Sequence, residues 1–471
     1  MNQKAKIAVI GGGVAGASTA LYLGNLGLEV TLFERETSLV NGPPFCHLHA
    51  GGNLYPNISD EQCIKLLKQS IDFLRFYPHV VDYRPTVIAL PNYCTSNVNN
   101  LFPRLKKLQK EYELLIENDP KNRVLGESKD YYRLYSKEQI EDLKEGKITN
   151  SLDKWMVPVA QNIDLTKVQF PLILVQEYGL NLFRLGASMA LALKKIEEVQ
   201  VLFNTTVTNV VKDKNRWNIS YQKDEEIAQE NFDYLINATG FRTGKIDDFL
   251  DVPCKKMVEF KAAYVTKWEQ AEGTLFPEII FHGERGTPQG MGQFTPYPNG
   301  HFQLHGMTNE ITLYKDGLVA STALSCQPQL KPNFIEKIEK SWSKEEVEQR
   351  TKSAIQHLSK FIPSFSQARV GSKPLFGAQQ IPGDDPSLRV AEVSFPTEKY
   401  ARCEIVKVSS VIDMIDSIVG ELIKLGYVDK RCNFEPMIDE KEADITKVAE
   451  LICREREYPE MLAHRSVLGL Q

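Results

Sequence analysis

Three glycines near the start of the sequence have the types and the spacing that bind a phosphorylated ligand through backbone atoms. Gly11, Gly13 and Gly16 form the pattern Gly-x-Gly-x-x-Gly between a short apolar segment and a segment with helical spacing. The first glycine permits a tight turn, the second lets the backbone approach a diphosphate, and the third lets the helix pack closely against the strand. The N–H groups at the start of the helix, around Val14 and Ala15, then face the phosphates. The pattern therefore predicts a dinucleotide site.

An acidic residue stands where such a site would bind a ribose. Glu34 ends the next apolar segment, about 20 residues after the glycines, and Arg35 follows it. The Glu34 carboxylate can accept hydrogen bonds from both ribose hydroxyls, whereas it would repel a 2′-phosphate, so an NADP-like ligand is disfavoured. A later apolar segment, Phe232 to Ala238, leads into Thr239 and Gly240, a small turn that can pass under the dinucleotide. Because Arg35 leads into a long segment rich in Gly, Pro and His rather than another regular β-α-β unit, the sequence favours FAD over NAD.

The composition excludes several other classes of protein. The chain has 471 residues, enough for roughly two to four domains, and its 42% hydrophobic and 25% charged residues are ordinary for a soluble protein. Lys and Arg number 56 against 61 Asp and Glu, and the resulting net charge of −5 predicts no nucleic-acid partner. No apolar run approaches the roughly 18 residues of a membrane span. The eight cysteines form no close pair, which predicts free thiols, no metal site and a cytoplasmic location, with a peripheral position on the inner face of the cytoplasmic membrane left open.

Apolar periodicity predicts the elements that must position these residues. Strand, helix and strand follow one another over residues 6–33, and a similar pattern returns after residue 180, with a strand at 201–211. Further along the chain, a strand is predicted at 387–393 and an amphipathic helix at 405–425. The dinucleotide site is therefore expected on an α/β layer whose strands come from separated parts of the chain.

Two domains follow from this pattern. The dinucleotide-binding domain is predicted to be discontinuous, formed by residues 1–83, 161–254 and 376–471. The intervening segments, 84–160 and 255–375, are predicted to build a second domain. A charged helical insertion near 92–156 carries an apolar stripe that would pack onto its own domain, or else onto a partner or a membrane surface.

These motifs together resemble those of a known family. Residues 11–16 (Gly-Gly-Gly-Val-Ala-Gly), Glu34-Arg35 and the later Asn237-Ala238-Thr239-Gly240 look like the motifs of the D-amino-acid-oxidase-type FAD oxidoreductases. That family includes glycine and sarcosine oxidases, and the pattern is nearest to malate:quinone oxidoreductase and L-2-hydroxyglutarate dehydrogenase. The resemblance implies FAD as the cofactor. It also implies a Rossmann-type FAD-binding domain paired with a second α+β substrate domain built on an antiparallel sheet.

The resemblance assigns further positions around the cofactor. His49, Ala50 and Gly51 are similar to a segment that passes beside the flavin ring in the hydroxyglutarate group. Val207 lies on a strand similar to the one whose backbone contacts the adenine. These four residues are therefore expected to contact FAD.

Two segments depart from the family pattern. The last helix of the family follows a glycine-rich turn that faces the flavin pyrimidine; here that turn lacks glycine, with Val406 and Lys407 at the expected contact. The hydroxyacid enzymes carry a His and an Arg on a hairpin of the substrate domain, where this chain has Gln293 and Pro296. The loss of that pair disfavours malate or 2-hydroxyglutarate as the substrate.

Five residues are the candidates for catalysis in an enzyme that removes a hydride equivalent from a C–H bond next to an amine or an alcohol. His49 is the candidate flavin contact or base, and His282 and His305 end strands of the substrate domain. Tyr297 would close the site over the flavin ring, and Arg242 follows the second small turn as a cation for an anionic substrate. Each of these side chains also has an ordinary structural interpretation, as a packed aromatic ring, a buried histidine or a solvated arginine.

The sequence thus predicts an FAD-dependent oxidoreductase, a dehydrogenase or an oxidase, that transfers a hydride from a small amine, amino acid or hydroxyacid to flavin N5. One alternative is a flavin-dependent monooxygenase reduced by NAD(P)H, since its FAD domain starts with the same glycine pattern. Another is a catalytically quiet FAD-binding protein that uses the charged insertion to bind a partner. The electron acceptor (oxygen, a quinone or a redox protein) is left open.

Overall fold

The elements of secondary structure follow the apolar periodicity in most segments. The computed structural model describes residues 5–42, 58–429, 431 and 438–465. Its strands are β1 (Lys6–Ile10), β2 (Glu29–Phe33), β3 (Val81–Asp82), β4 (Thr86–Ala89), β5 (Tyr132–Tyr135), β6 (Leu172–Val175), β7 (Gly179–Leu180), β8 (Val199–Leu202), β9 (Thr205–Asp213), β10 (Arg216–Lys223), β11 (Glu226–Phe232), β12 (Tyr234–Asn237), β13 (Lys256–Lys267), β14 (Glu278–Phe281), β15 (Gly292–Tyr297), β16 (His301–Gly306), β17 (Leu318–Ala320), β18 (Arg369–Val370), β19 (Leu375–Pro382), β20 (Val393–Thr397) and β21 (Tyr400–Cys403). Its α-helices are α1 (Val14–Asn25), α2 (Asp60–Phe76), α3 (Phe102–Asn118), α4 (Lys137–Lys144), α5 (Asp153–Asn162), α6 (Leu182–Leu193), α7 (Thr243–Phe249), α8 (Pro332–Glu339), α9 (Lys344–Ser359), α10 (Val411–Lys424) and α11 (Glu442–Glu455).

A six-stranded sheet carries the glycine pattern. Its strand order is β20-β21-β12-β1-β2-β8, in which β20 is antiparallel to β21 and the other neighbours are parallel. Ile7 and Val9 of β1 belong to a core shared with α1, α6 and α10, whereas Ala8 and Ile10 pack on the other face with residues of the sheet β9-β10-β11. Burial on both faces explains why β1 is apolar at every position after Lys6. The parallel strands bring their carboxyl ends to one edge, where ligands of such sheets bind.

A larger sheet forms the second part of the structure. Its order is β17-β13-β16-β15-β14-β4-β6-β5, with β18 and β19 also paired to β13; β14 and β4 are parallel and the other pairs antiparallel. One face is apolar, because Phe294, Phe302 and Leu304 pack with Leu358 of α9. Side chains alternate along a strand, so the residues between them point to the opposite face. The fold class predicted from the sequence, α/β with a second α+β part on an antiparallel sheet, is confirmed.

Two predicted strands differ in the structure. The prediction of a strand at 387–393 is wrong. Asp385 accepts hydrogen bonds from the backbone N–H and the hydroxyl of Ser387, and these bonds form a local turn. The strand there begins only at Val393. The segment 201–211 is interrupted at Asn204, whose φ of +53° turns the chain and separates β8 from β9.

The charged insertion packs onto the first half of the structure. Leu105, Leu108 and Tyr112 of α3 join the same core as Leu66 and Leu67 of α2. The apolar stripe is therefore covered by the chain itself. β6 and β19 come from segments that the sequence assigned to the first domain, and both pair within the larger sheet; the domain boundaries as a whole stay a prediction. Among the described residues, no helix combines the length and the apolar character that crossing a bilayer requires.

Candidate functional site

The glycine turn between β1 and α1 is shaped by the space that each glycine leaves. Gly11 has a φ of +100°, and a Cβ on it would lie 2.6 Å from the carbonyl oxygen of Ala238. A Cβ on Gly16 would lie 1.8 Å from the carbonyl oxygen of Gly11. A Cβ on Gly13, the residue that caps α1, would meet no atom of the described residues within 4 Å. The fold itself therefore requires Gly11 and Gly16, whereas Gly13 leaves a space that a ligand can enter.

Glu34 supplies a fixed acceptor beside this turn. Its side chain is 6% exposed, and its two carboxylate oxygens accept from the backbone N–H groups of Gly12 at 2.6 Å and of Glu36 at 2.8 Å. Burial raises the pKa of the Glu34 carboxyl above its usual value, and the two backbone hydrogen bonds act in the opposite direction. We call the turn 11–16 together with Glu34 the cradle. Its carboxylate is held in one orientation before any ligand arrives.

The strand predicted to contact the adenine starts beside the cradle. The backbone N–H of Thr205, at the start of β9, donates to the carbonyl of Glu34 at 2.9 Å. Val207 is half-buried on β9 and packs against the core that contains Phe33. The structure thus brings Val207 to the carboxyl end of β2, and its contact with an adenine stays a prediction.

The second small turn lies against the first. The backbone N–H of Ala238 donates to the carbonyl of Ile10 at 2.8 Å, and the Thr239 hydroxyl donates to Asn237 Oδ1 at 2.8 Å. Gly240 has a φ of +60°, and a Cβ on it would meet no atom of the described residues within 4 Å. The turn after β12 therefore lines the cradle on the side opposite to β2, since β1 lies between these two strands.

Hydrogen bonds join the loop before α10, which follows the smaller sheet, to a strand of the larger sheet. Gln380 Nε2 donates to the carbonyl of Cys403 at 3.1 Å, and Gln379 Nε2 donates to the carbonyl of Val406 at 3.2 Å. Both glutamines belong to β19, whereas the loop follows β21, the neighbour of β12. Val406 and Lys407 are thereby placed where the edge of the larger sheet meets the carboxyl end of the smaller one.

The larger sheet presents buried polar side chains on the face opposite to its aromatic core. Gln293 Nε2 donates to Glu278 Oε1 at 2.9 Å and to Thr295 Oγ1 at 3.1 Å. Gln303 Nε2 lies 3.5 Å from His305 Nδ1. In the hairpin register, Gln293 is opposite His305 and Thr295 is opposite Gln303. Each of these five side chains is at most 6% exposed, so their polar atoms depend on one another rather than on solvent.

The same face continues across β13 and to the end of the hairpin. Lys261 Nζ lies 2.7 Å from Glu259 Oε2 and donates to Gln379 Oε1 at 2.8 Å, and Arg285 forms an ion pair with Glu259. Burial lowers the pKa of the Lys261 ammonium, and the Glu259 carboxylate acts in the opposite direction. Tyr297 donates to Gln303 Oε1 at 3.3 Å. We call this surface the polar face. Its members are Glu259, Lys261, Glu278, Gln293, Thr295, Tyr297, Gln303 and His305.

A buried arginine completes the network beside Glu278. Arg84 is 2% exposed, forms an ion pair with Asp82 and places Nη2 at 3.4 Å from Glu278 Oε2. A Cβ on Gly179 would lie 2.4 Å from Arg84 Nη2, so the glycine leaves room for the guanidinium. Such a buried ion pair is a weak source of stability, which points to a role in organising the polar groups nearby.

The structure brings together some of the predicted catalytic residues. His305 and Tyr297 both lie on the polar face. His282 follows β14 with its backbone N–H bonded to the carbonyl of Ala89 at 3.0 Å. Arg242 lies elsewhere, in an ion pair with Glu339 beside the cradle. His49, Ala50 and Gly51 lie outside the described residues, and all these catalytic assignments stay predictions.

Sequence reasoning missed the charged pair on β13. Glu259 and Lys261 alternate with Val258, Phe260 and Ala262, and charges at alternate positions of an otherwise apolar strand indicate a buried polar face. Arg84 gave no comparable signal, because its second partner, Glu278 of β14, is almost 200 residues away in sequence. Among the described residues, no group of three or more His, Cys, Asp or Glu side chains is arranged to hold a metal ion.

The cradle fits a dinucleotide cofactor. The open space at Gly13 admits a diphosphate beside the start of α1, and the oriented carboxylate of Glu34 offers an acceptor to ribose hydroxyls. Val406 would lie toward the flavin end, because its loop borders the polar face through Gln379 and Lys261. The chain thus has groups for both ends of such a ligand.

Comparisons with known proteins agree with this geometry. A family model described as FAD dependent oxidoreductase matches residues 6–389. Glycerol-3-phosphate dehydrogenase from Bacillus halodurans, complexed with FAD, has a similar fold, with a TM-score of 0.59 at 14% identity, over 98% of this chain and 74% of that one. L-proline dehydrogenase from P. horikoshii gives a TM-score of 0.57 at 16% identity, over 92% of this chain and 96% of that one. Glycine oxidase from Geobacillus kaustophilus gives 0.56 at 10% identity, over 93% and 100%. No curated protein matches the sequence significantly.

Proposed function

The chain belongs to the FAD dependent oxidoreductase family, and from this premise we propose that it oxidises a small amine, amino acid or hydroxyacid at the polar face. FAD is the cofactor of the family, and the protein is an FAD-dependent oxidoreductase. The observation that carries the proposal is the group of buried polar side chains that share one face of the larger sheet, of which Lys261 is bonded through Gln379 to the loop at Val406. A face built only for packing would be apolar, as the opposite face is.

The polar face offers groups that can hold and deprotonate a small molecule. Bound FAD would accept the hydride at its N5 position. His305, buried between Gln303 and the facing Gln293, is the residue that we assign to take the proton from a substrate hydroxyl or ammonium. The amides of Gln293 and Gln303 would fix the orientation of the histidine ring and of the substrate.

Lys261 is the cation that we assign to an anionic group of the substrate. Its ammonium projects onto the same face as His305, because β13 and β16 are neighbours in register and side chains alternate along both strands. Arg285 also pairs with Glu259, so Glu259 keeps a cationic partner when Lys261 binds a carboxylate. This arrangement favours an amino acid or hydroxyacid over an uncharged amine.

Anaerobic reduction of the bound flavin tests the proposal. The purified holoprotein is mixed with amino acids, amines and 2-hydroxyacids in the absence of oxygen, and the visible flavin absorbance is followed. We expect one of these classes to bleach the spectrum, and the variant H305N to slow the bleaching at least about tenfold. The variant H464N is the matched control, because His464 pairs with Glu450 of α11 rather than with a member of the polar face. Rapid bleaching by NADPH or NADH, with no response to any substrate, would instead identify a monooxygenase.

A flavin that responds to neither group of reagents would contradict catalysis and leave an FAD-binding protein. The electron acceptor is tested in the same preparation, by adding oxygen, a soluble quinone or an electron-transfer protein to the reduced enzyme. Reoxidation that is fast with one acceptor and slow with the others would assign the enzyme as an oxidase or a dehydrogenase.

A further inference from the structure

One carboxylate joins two arginines that follow different strands of the first sheet. Glu339 Oε1 lies 2.6 Å from Arg242 Nη2 and 3.5 Å from Arg35 Nη1. Arg35 comes directly after Glu34 of the cradle, and Arg242 comes two residues after Gly240 of the second small turn. The same carboxylate oxygen therefore bonds to both sides of the cofactor site.

The strand order places this ion-pair bridge in front of β1. β2, which leads to Arg35, and β12, which leads to Arg242, are the two neighbours of β1 in the sheet. Neighbouring strands are about 4.8 Å apart, so the two arginines start from positions roughly 10 Å apart, on either side of the glycine turn. A bridge between them crosses the carboxyl end of β1, where the cradle opens.

Glu339 reaches this position from the other half of the structure. It is the last residue of α8, and Phe334 of the same helix stacks on Phe260 of the larger sheet with ring centroids 4.9 Å apart. An acidic side chain at the carboxyl end of a helix interacts unfavourably with the negative end of the helix dipole. The two arginines compensate for that position, and the hydrogen bond from Arg242 lowers the pKa of the Glu339 carboxyl.

The bridge also balances a local excess of positive charge. Burial lowers the pKa of the Arg242 guanidinium, and the neighbouring Arg35 acts in the same direction. Arg242 and Arg35 likewise lower the pKa of Lys245, after burial as the main cause. Without Glu339, Arg35 would keep its ion pair with Glu36 at 2.9 Å, but the two arginines would no longer share a carboxylate. Their mutual repulsion would then open the space between them.

The geometry points to a gate: Glu339, Arg35 and Arg242 close the mouth of the cradle, and FAD enters or leaves only when Glu339 releases the arginines. The gate is formed by contacts within the protein, so it is closed both with and without the cofactor. Opening breaks the same ion pairs in either direction. A gate of this kind therefore slows uptake and release together and leaves the affinity for FAD nearly unchanged.

The variant E339Q tests the gate, since it removes the charge and keeps the shape of the side chain. Uptake is followed by stopped-flow flavin fluorescence on mixing apoprotein with FAD, and release by the same signal on dilution of the holoprotein. We expect both rate constants to rise about three- to tenfold, with the dissociation constant changed less than about threefold. Salt should accelerate both steps in the wild type and have little effect in E339Q.

The control variant is E348Q, because Glu348 is an exposed glutamate that pairs with Lys352 along α9. It should exchange FAD as the wild type does. In a double-mutant cycle, R242Q should add little to E339Q, since both open the same bridge. The gate is overturned if E339Q and E348Q exchange FAD at equal rates, or if E339Q changes release alone, which would make Glu339 an ordinary contact of the bound cofactor. Thermal melting of each apoprotein checks that the variants are folded, and the readout does not depend on any substrate.

Discussion

The cradle and the polar face differ in the atoms that they offer to a ligand. The cradle uses backbone N–H groups and the space left by missing side chains, and its residues 11–16 are contiguous. The polar face uses side chains from strands that are far apart in sequence, such as Lys261 on β13 and Gln293 on β15. A diphosphate can be bound by groups that every residue has, whereas a particular small molecule requires particular side chains.

The two regions also differ in whether their groups need hydrogen-bond partners within the protein. In the cradle, the position at Gly13 is open, since a Cβ there would meet no atom of the described residues within 4 Å. On the polar face, every buried amide and carboxylate needs a hydrogen-bond partner, and an unmade bond would cost about 1–3 kcal/mol. The network of Gln293, Glu278 and Thr295 provides those partners. Substitutions at the glycines of the cradle should therefore act by filling space. Substitutions on the polar face should act by removing hydrogen-bond partners.

The largest effect is expected from a methyl group in the cradle. G16A should destabilise the protein by more than about 3 kcal/mol and abolish FAD uptake, because its Cβ would lie 1.8 Å from the carbonyl oxygen of Gly11. G13A is the matched variant: its φ of −67° suits alanine, so the apoprotein should keep its stability within about 1 kcal/mol. FAD affinity should nevertheless fall at least about tenfold in G13A. Urea unfolding and flavin titration separate the two effects; equal behaviour of the two variants would contradict the division between fold and ligand space.

The next effect concerns the one charged side chain of the cradle. Since the pKa of Glu34 is raised in the protein without ligand, its protonated form favours folding, a contribution present below the usual pKa of 4.5 and lost as the pH rises through the raised value. Ribose hydroxyls donate to the ionised form, so FAD affinity should increase as the pH rises through that value. E34Q should bind FAD about ten- to a hundredfold more weakly, without this pH dependence. Flavin titration over a pH series measures both, and a parallel pH profile in E34Q would assign the titration to another group.

An intermediate effect is expected on the polar face. K261M should raise the KM for an amino acid or hydroxyacid about ten- to a hundredfold, with a smaller change in kcat, because the anionic group loses its buried cation. FAD affinity should change much less, since Lys261 reaches the loop at Val406 only through Gln379. K352M, on the exposed surface of α9, is the control with an equal loss of charge. An unchanged KM in K261M would place the substrate anion elsewhere.

The smallest effect is expected from removing one hydroxyl group on either face of the larger sheet. The Thr295 hydroxyl accepts from Gln293 on the polar face, and the Thr266 hydroxyl donates to the carbonyl of Phe302 on the other face. T295V and T266V should each lower the free energy of unfolding by about 1 kcal/mol, measured by urea denaturation. Steady-state kinetics should change in T295V alone. A kinetic effect of the same size in both variants would show that stability, not the polar face, controls turnover.

The difference between the two regions also explains what the sequence could predict. The cradle follows a local pattern, because the backbone geometry of a strand, a helix and a strand requires particular residues at fixed spacings. These residues are Gly11, Gly13, Gly16 and Glu34. The family, the cofactor and the fold class were predicted correctly on this basis. The second small turn was found in the same way, since a strand end followed by Ala238 and two small residues is a local pattern.

The polar face could not be predicted to the same degree. The sequence indicates His305 as a residue near a strand end and Tyr297 as an aromatic ring that closes the site over the flavin, but the partners of both depend on the register between β15 and β16. At position 293 the sequence indicates only that glutamine stands in place of the histidine of the hydroxyacid enzymes, whereas the structure shows an amide bonded to Glu278. Arg242 was interpreted from its neighbours in sequence as a substrate cation, while its partner Glu339 comes from a helix almost 100 residues later.

The hydrogen bonds of two adjacent glutamines restrict how the two sheets can move. Gln379 and Gln380 point to opposite faces of β19, yet both donate to the short loop that contains Cys403 and Val406. The loop therefore accepts hydrogen bonds from both faces of the strand. Sliding one sheet along the other would break both bonds, whereas a small rotation about β19 preserves them. Any opening that admits a substrate should accordingly be a hinge motion with its axis near this strand, so that the distant edge at β5 travels furthest.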